Sequence, residues 1–258
     1  MSISAYIFLL VLFFITSAVG VVTGSNSLLT VPVMLQFGLD AKVAVATNMF
    51  GLTFMSIGAS VPFLRERSVD FRRLPFLILL TLIGSGLGAC LIGLVKAEWM
   101  PVVLSACMLI VIVFILFNRT SVGRPQKSLI AVIAGYVLAF MLAIYGGFFS
   151  GGYVTMLTAV FVGLVGMTTR EAIGTTKVIN IFSSLIATIV FMLQGLVDYR
   201  LGAALAVTMF IAAFLGAQFA VKMNERWLRF IFISVVIILA VKMLVDSIGQ
   251  HLVPLPQL

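Results

Sequence analysis

Charge is scarce in this chain: 9% of its 258 residues are charged, 62% are hydrophobic, and the mean hydropathy is +1.27. A soluble domain carries about a quarter charged residues, so a water-solvated globule is excluded. Carboxylates are the scarcest of all. The eight acids (Asp40, Glu66, Asp70, Glu98, Glu171, Asp198, Glu225 and Asp246) all fall near the ends of apolar runs. A buried carboxylate relay, the usual proton-coupling device inside membranes, therefore has no member. The one histidine, His251, lies in the Pro-containing C-terminal tail, and the two cysteines, Cys90 and Cys107, lie inside apolar segments. These residues offer no disulfide framework and no metal-ligand cluster. They give no support to an intramembrane protease or metalloenzyme. We expect no enzyme activity, no cofactor and no metal.

What the chain has in quantity is long apolar sequence. The runs reach the ~20 residues that an α-helix needs to cross the hydrocarbon core, and they lack the alternation of barrel strands. The expectation is an all-α polytopic membrane protein whose partners are the lipid bilayer and a small solute, with a homo-oligomer left open. Sixteen Lys and Arg against eight acids give a formal charge of +8. In a membrane protein that excess faces the cytoplasm and anionic headgroups, so nucleic acid is not implied. The first run, about 3–23, has no Lys or Arg ahead of it and no clear cleavage site. It reads as a helix of the mature protein rather than a signal peptide.

The chain also repeats itself. Shifted by 128 positions without a gap, Gly24 meets Gly152, Thr30 meets Thr158, Thr47 meets Thr175 and Ser56 meets Ser184. Val69-Asp70 meets Val197-Asp198, Arg72 meets Arg200, and the two tryptophans, Trp99 and Trp227, meet each other. With so few acids and only two Trp, such coincidences are hard to produce by chance. The expected organisation is a first repeat over 1–118, a linker over 119–126, a second repeat over 127–246 and a tail over 247–258. Internal repeats of this kind recur in transporters.

Each half reads as a long helix (about 3–23 and 127–148), a small polar break, a short apolar piece (about 27–37 and 153–165) and three full-length segments. Those segments lie near 41–64, 72–95 and 99–118, and near 169–194, 200–222 and 227–246. If each short piece turns back as a re-entrant hairpin, each half crosses an odd number of times and the halves are inverted repeats. Arg65, Arg67, Arg72, Arg73, Arg119, Arg124, Lys127, Arg170, Lys222, Arg226 and Arg229 then share one side. Only Lys42, Lys96, Arg200 and Lys242 lie on the other. Eight plain spans would split the same bases more evenly, so the positive-inside rule favours inversion with both termini outside.

Backbone left bare at membrane depth is tolerated only against protein or a water-filled cavity. Two breaks at matching positions are therefore a pointer to a transporter's binding site. The short helices would start near the midplane, where unpaired N–H groups and the positive dipole end favour an anion. The candidate residues are Ser25, Asn26 and Ser27 at one break, and Ser150, Gly151, Gly152 and Tyr153 at the other. Within the following long segments, Thr47, Asn48, Thr175 and Thr176 join them. Lys177 lies seven residues beyond Arg170, about 10 Å deeper along a helix, where an ammonium costs a few kcal/mol unless it is paired or faces water. Asn180 points toward the same cavity. The small residues of Gly84-Ser85-Gly86, Gly88-Ala89, Ala212-Ala213 and Gly216-Ala217 read as close helix packing instead.

These residues resemble a known family. Two four-segment halves, each with a glycine-rich break and then an Ala-x-x-Thr stretch, look like TauE/SafE-type sulfite exporters. Tyr145-Gly146-Gly147-Phe148-Phe149-Ser150-Gly151-Gly152 resembles the family's glycine-rich signature. Glu171-Ala172-Ile173-Gly174-Thr175-Thr176-Lys177 resembles the helix start that follows it. In the first half Gly24-Ser25-Asn26-Ser27 stands where the family has a run of glycines, although Val31-Pro32 follows as expected. The resemblance covers nearly the whole chain. It implies movement of sulfite, organosulfonates or related sulfur-containing or organic anions across a prokaryotic cytoplasmic membrane. A secondary transporter working by alternating access around the two breaks is the leading expectation; an anion channel and a non-transporting membrane assembly subunit are the alternatives.

Overall fold

Backbone N–H and C=O groups find no water inside hydrocarbon, so an apolar segment there must satisfy them within itself, as a helix. The computed structural model describes residues 3–24, 26–100, 102–104, 106–107, 128–224, 227 and 230, and every regular element among them is helical. Ser25, most of the expected segments 99–118 and 227–246, the linker 119–126 and the tail 247–258 lie outside the described residues. Helix α1 (Ile3–Thr23) is followed by the short α2 (Ser27–Gln36), then by α3 (Ala41–Arg65) and α4 (Leu74–Leu94). Helix α5 (Leu129–Phe148) is followed by the short α6 (Tyr153–Val160), which widens into one π-type turn over Phe161–Val165. Then come α7 (Thr169–Leu193) and α8 (Tyr199–Lys222). Five of these, α3, α4, α5, α7 and α8, are long and apolar enough to cross a membrane. The chain is thus an all-helical polytopic membrane protein, as its composition implied.

Four of the eight acids end up at helix starts. Asp40 accepts from the backbone N–H groups of Lys42 and Val43, Asp70 from those of Arg72 and Arg73, and Asp198 from those of Arg200 and Leu201. Thr168 and Glu171 form a capping box at the start of α7. Each occupies a helix start, where orphan N–H groups need an acceptor and the dipole favours negative charge.

Packing interleaves the two stretches of chain. Helix α3 lies against α7 and α8, α4 against α5 and α7, and α1 against α8. Helices α3 and α7 cross antiparallel: Thr53 meets Thr188 through their hydroxyls at 3.4 Å, Ser56 meets Asn180, and the Ser68 carbonyl faces Gly174 beyond the end of α3. Two matching hydrogen bonds tie the ends together. The Asp70 N–H donates to Thr175 Oγ1 at 3.0 Å, and the Asp198 N–H donates to Thr47 Oγ1 at 3.0 Å. Both short helices double back beside their predecessors. The Phe37 ring, just past α2, returns to within 6.3 Å of the Phe8 ring in α1. The Val165 side chain, ending the π-turn, returns to Gly135 in α5. Apolar side chains such as Leu79, Ile83 and Leu87 on α4, and Ile133, Val137 and Met141 on α5, face outward, as a surface wetted by lipid requires.

Candidate functional site

The site begins with backbone geometry. Helix α1 ends at Gly24, which takes φ +69°. A Cβ there would fall 2.8 Å from the Val154 side chain and 2.9 Å from the Thr155 backbone nitrogen, so only glycine lets this break seat on the start of α6. Gly152, its counterpart in the second repeat, takes φ +74° ahead of α6. A Cβ on Gly151 would in turn lie 2.7 Å from Leu28 of α2. The starts of the two short helices are thereby brought against one another in the interior. Between them lies a small cavity lined by Gly20, Gly24, Asn26, Ser27, Leu52, Met55, Ser56, Ala59, Ser150, Val154, Lys177 and Asn180.

Lys177 and Asn180 stand three residues apart on α7, which puts them on one helix face. Lys177 is 3% exposed. Its ammonium donates to the Gly20 carbonyl at 3.2 Å, an oxygen that already accepts from the Gly24 N–H at 2.7 Å. No acid pairs with it among the described residues, and the ion pair of Arg73 with Asp70 lies away from the cavity. An ammonium carries three donors, so two remain for the cavity. Asn180 donates from Nδ2 to Ser56 Oγ at 2.6 Å, and Asn26 donates from Nδ2 to Ser17 Oγ at 3.2 Å. Ser27 Oγ accepts from Asn48 Nδ2 at 2.9 Å. The result is a buried pocket with one cation, several hydroxyls and no negative charge. Among the described residues no three of His, Cys, Asp and Glu come together to hold a metal ion.

Ser150 is the one lining residue with a side chain whose backbone is strained, at φ +64°. A left-handed conformation costs a residue with a Cβ about 1–2 kcal/mol. Ser150→Gly should therefore raise the thermal stability of the purified protein by about 1 kcal/mol. A variant no more stable than the parent would show that Ser150 is not strained in solution.

The structure brings together Asn26, Ser27, Ser150, Lys177 and Asn180 of the residues expected from sequence. The others sit nearby with different bonds. Asn48 stands behind the lining, where its Oδ1 accepts from the Thr30 hydroxyl at 2.8 Å. Thr176 pairs likewise with Thr158 at 3.3 Å, the equivalent pair in the second repeat. Thr47 and Thr175 hold the Asp198 and Asp70 N–H groups at the helix ends. The Gly151 carbonyl accepts from the Tyr145 hydroxyl at 2.6 Å, and the Tyr153 ring is fully buried against Gly146. Gly152 serves as the turn before α6, and Ser25 lies outside the described residues. Ser56, Met55 and Gly20 were not anticipated as lining. Only Ser56 left a trace, as a hydroxyl in the middle of an apolar run.

The chain matches the family model described as "Sulfite exporter TauE/SafE" over residues 8–243. Among curated proteins it is 27% identical over 250 residues to the "Probable membrane transporter protein YfcA" of Escherichia coli, covering 94% of this chain and 91% of that one. It is 25% identical over 239 residues to a "Probable membrane transporter protein" of Haemophilus influenzae, covering 92% and 94%. A third relative, the "Probable membrane transporter protein YdhB" of Bacillus subtilis, is 23% identical over 201 residues, covering 76% of this chain and 81% of that one. No solved structure matches.

Proposed function

Because the chain belongs to the sulfite exporter TauE/SafE family, we propose that it is a secondary transporter of a small anion, working by alternating access around the cavity at Lys177. The substrates are sulfite, an organosulfonate or a related sulfur-containing or organic anion, and the membrane is the bacterial cytoplasmic membrane. The observation that carries this reading is Lys177 itself, a buried lysine with no acid beside it among the described residues, in a cavity otherwise lined by neutral groups. Such a charge is costly to leave without a counterion, and a soluble anion supplies one. The starts of α2 and α6 add N–H groups and dipole ends of the same sign.

Alternating access would follow from two inverted repeats, 1–118 and 127–246, a reading with three supports. Equivalent helices α3 and α7 cross antiparallel, each short helix returns to the face its predecessor came from, and hydrogen bonds recur at the same positions of both repeats. Arg65, Arg67, Arg72, Arg73, Arg170 and Lys222 gather at one end of the helices, as the Ser68–Gly174 approach and the Arg170 bond to the Met223 carbonyl require. Lys42, Lys96 and Arg200 lie at the other end. The basic end is taken as cytoplasmic, with both termini outside. A cavity at the meeting point of two such halves is where rocking of one against the other would expose it to either side in turn.

Counterflow of radiolabelled sulfite into proteoliposomes tests this reading, with sulfate, acetate and organosulfonates as competitors. Saturable, competed uptake is expected. Flux that neither saturates nor competes would replace the carrier with an anion channel, and no flux for any anion would sink transport altogether.

A further inference from the structure

In this structure the cavity is shut. Its free volume is about 20 Å³, room for one water and for nothing the size of sulfite. An anion reaches Lys177 only if the walls part at one end or the other. Holding the ends together is a pair of equivalent hydrogen bonds, each made between the two repeats. At the basic end the loop after α3 reaches the start of α7, where the Asp70 N–H donates to Thr175 Oγ1. At the opposite end the loop after α7 reaches the start of α3, where the Asp198 N–H donates to Thr47 Oγ1. The residues correspond under the 128-residue shift, Asp70 to Asp198 and Thr175 to Thr47. Both threonines are fully buried. Each stands between its end of the helices and the cavity. Lys177 follows Thr175 by two residues on α7, and Leu52, part of the cavity lining, follows Thr47 by five on α3.

The two closures are unequal. At the basic end the Ser68 carbonyl lies so close over Gly174 that a Cβ there would fall 2.1 Å from its oxygen. The equivalent of Gly174 at the other end is Ala46, which already carries that Cβ, so the loop after α7 cannot settle as deeply. Asp70 is braced by its ion pair with Arg73, whereas Leu201 stands at the position equivalent to Arg73. We infer that Thr175 and Thr47 are the latches of two gates, one at each end of the cavity, and that the Thr47 latch is the weaker. Opening one end breaks its own bond and leaves the other made, so the cavity never opens through. Without ligand the protein opens mainly at the end away from the bases. This rests on the transporter reading above and supplies residues for its two gates. Both threonines are positioning residues: they control access to Lys177 without touching the anion.

The test reads access to a cysteine placed in the cavity. In a Cys90→Ala, Cys107→Ala background, Ser56→Cys puts a thiol on the lining with little change in shape. Labelling by the membrane-impermeant anion 2-sulfonatoethyl methanethiosulfonate is timed by mass spectrometry. On the orientation proposed above, spheroplasts present the opposite end and inverted vesicles the basic end. This reporter protein should label faster from the opposite end. Thr175→Val keeps the shape and removes the acceptor. It should speed labelling from the basic end by about fivefold, a factor that one net hydrogen bond supports. Thr47→Val should do the same at the opposite end only, and Thr175→Ser, which restores a hydroxyl, should label as the reporter does. Gly174→Ala pushes the Ser68 loop away while leaving the donor and acceptor in place, and should match Thr175→Val. It keeps the test decisive if the valine protein fails to elute normally on size exclusion. Labelling unchanged in both valine variants, or raised from the same side in both, overturns the inference, as does a reporter that labels faster from the basic end. Side-specific labelling with no sulfite counterflow by the unsubstituted protein would uphold the latches and remove the transporter; counterflow with unmoved labelling would do the reverse.

Discussion

Lys177→Met should change anion affinity and protein stability in opposite directions. The ammonium donates to a carbonyl that keeps its bond from Gly24 after the substitution, so nothing is orphaned when it goes. The methionine is of similar length, and its surroundings include Met55 and Leu52. Removing a buried ammonium that has no acid beside it among the described residues should therefore stabilise the ligand-free protein, by about 1 kcal/mol or more. Anion binding should fall by about 10- to 100-fold, the range expected for losing hydrogen bonds from a charged donor worth about 1.5–3 kcal/mol. The check is a pair of melting curves, with and without a saturating sulfonate, for parent and variant. If the variant binds anion as the parent does, Lys177 is a structural residue and the cavity loses its reason to attract anions.

Gly88→Ala should be among the most damaging single methyl additions the protein can receive. A Cβ at Gly88 would collide with the Ile144 carbonyl oxygen, which belongs to the backbone of α5 and cannot rotate away. Helices α4 and α5 would have to part along their whole contact, at a cost at or above the usual ~1–3 kcal/mol of overpacking. Its neighbour provides the control. At Gly86, on the same helix, the nearest atom to an added Cβ is an Ile186 side-chain carbon at 3.6 Å, an ordinary contact. Gly86→Ala should be neutral or slightly stabilising, because alanine holds a helix better than glycine does. Gly216→Ala, where a Cβ would run into the Ala18 carbonyl, should repeat the loss in the α1–α8 contact. Melting temperature and size-exclusion homogeneity measure all three. A Gly88→Ala protein that melts with the parent would mean that α4 and α5 do not lie this close.

How much of the site could be read from the sequence depended on the kind of residue. Lys177 was legible because a charge at depth is anomalous in any apolar run, and Asn180 followed from helical spacing. The breaks at Gly24 and Gly152 were legible because glycine beside polar residues interrupts an apolar segment. The neutral polar residues were not so easily sorted. Thr47, Asn48, Thr175 and Thr176 looked like cavity residues, yet they bond to helix ends or to a neighbouring short helix. A hydroxyl in a membrane needs some partner, and its position along one helix does not say which neighbour supplies it. Ser56 and Met55 were missed for the complementary reason, since α3 presents them to the cavity only by crossing α7.

The sequence by itself determined that this chain lives in a membrane as helices, because so apolar a chain with so few charges has no other way to satisfy its backbone. It carried the internal repeat, the two breaks and the one deep lysine. The tertiary structure decided which polar groups share a space: that the breaks seat on each other, and that α3 closes the cavity opposite α7. Periodicity along a helix follows from local geometry. The pairing of one helix with another far along the chain depends instead on how closely their backbones can approach, and that is settled only when small residues such as Gly88, Gly174 and Gly216 meet their partners.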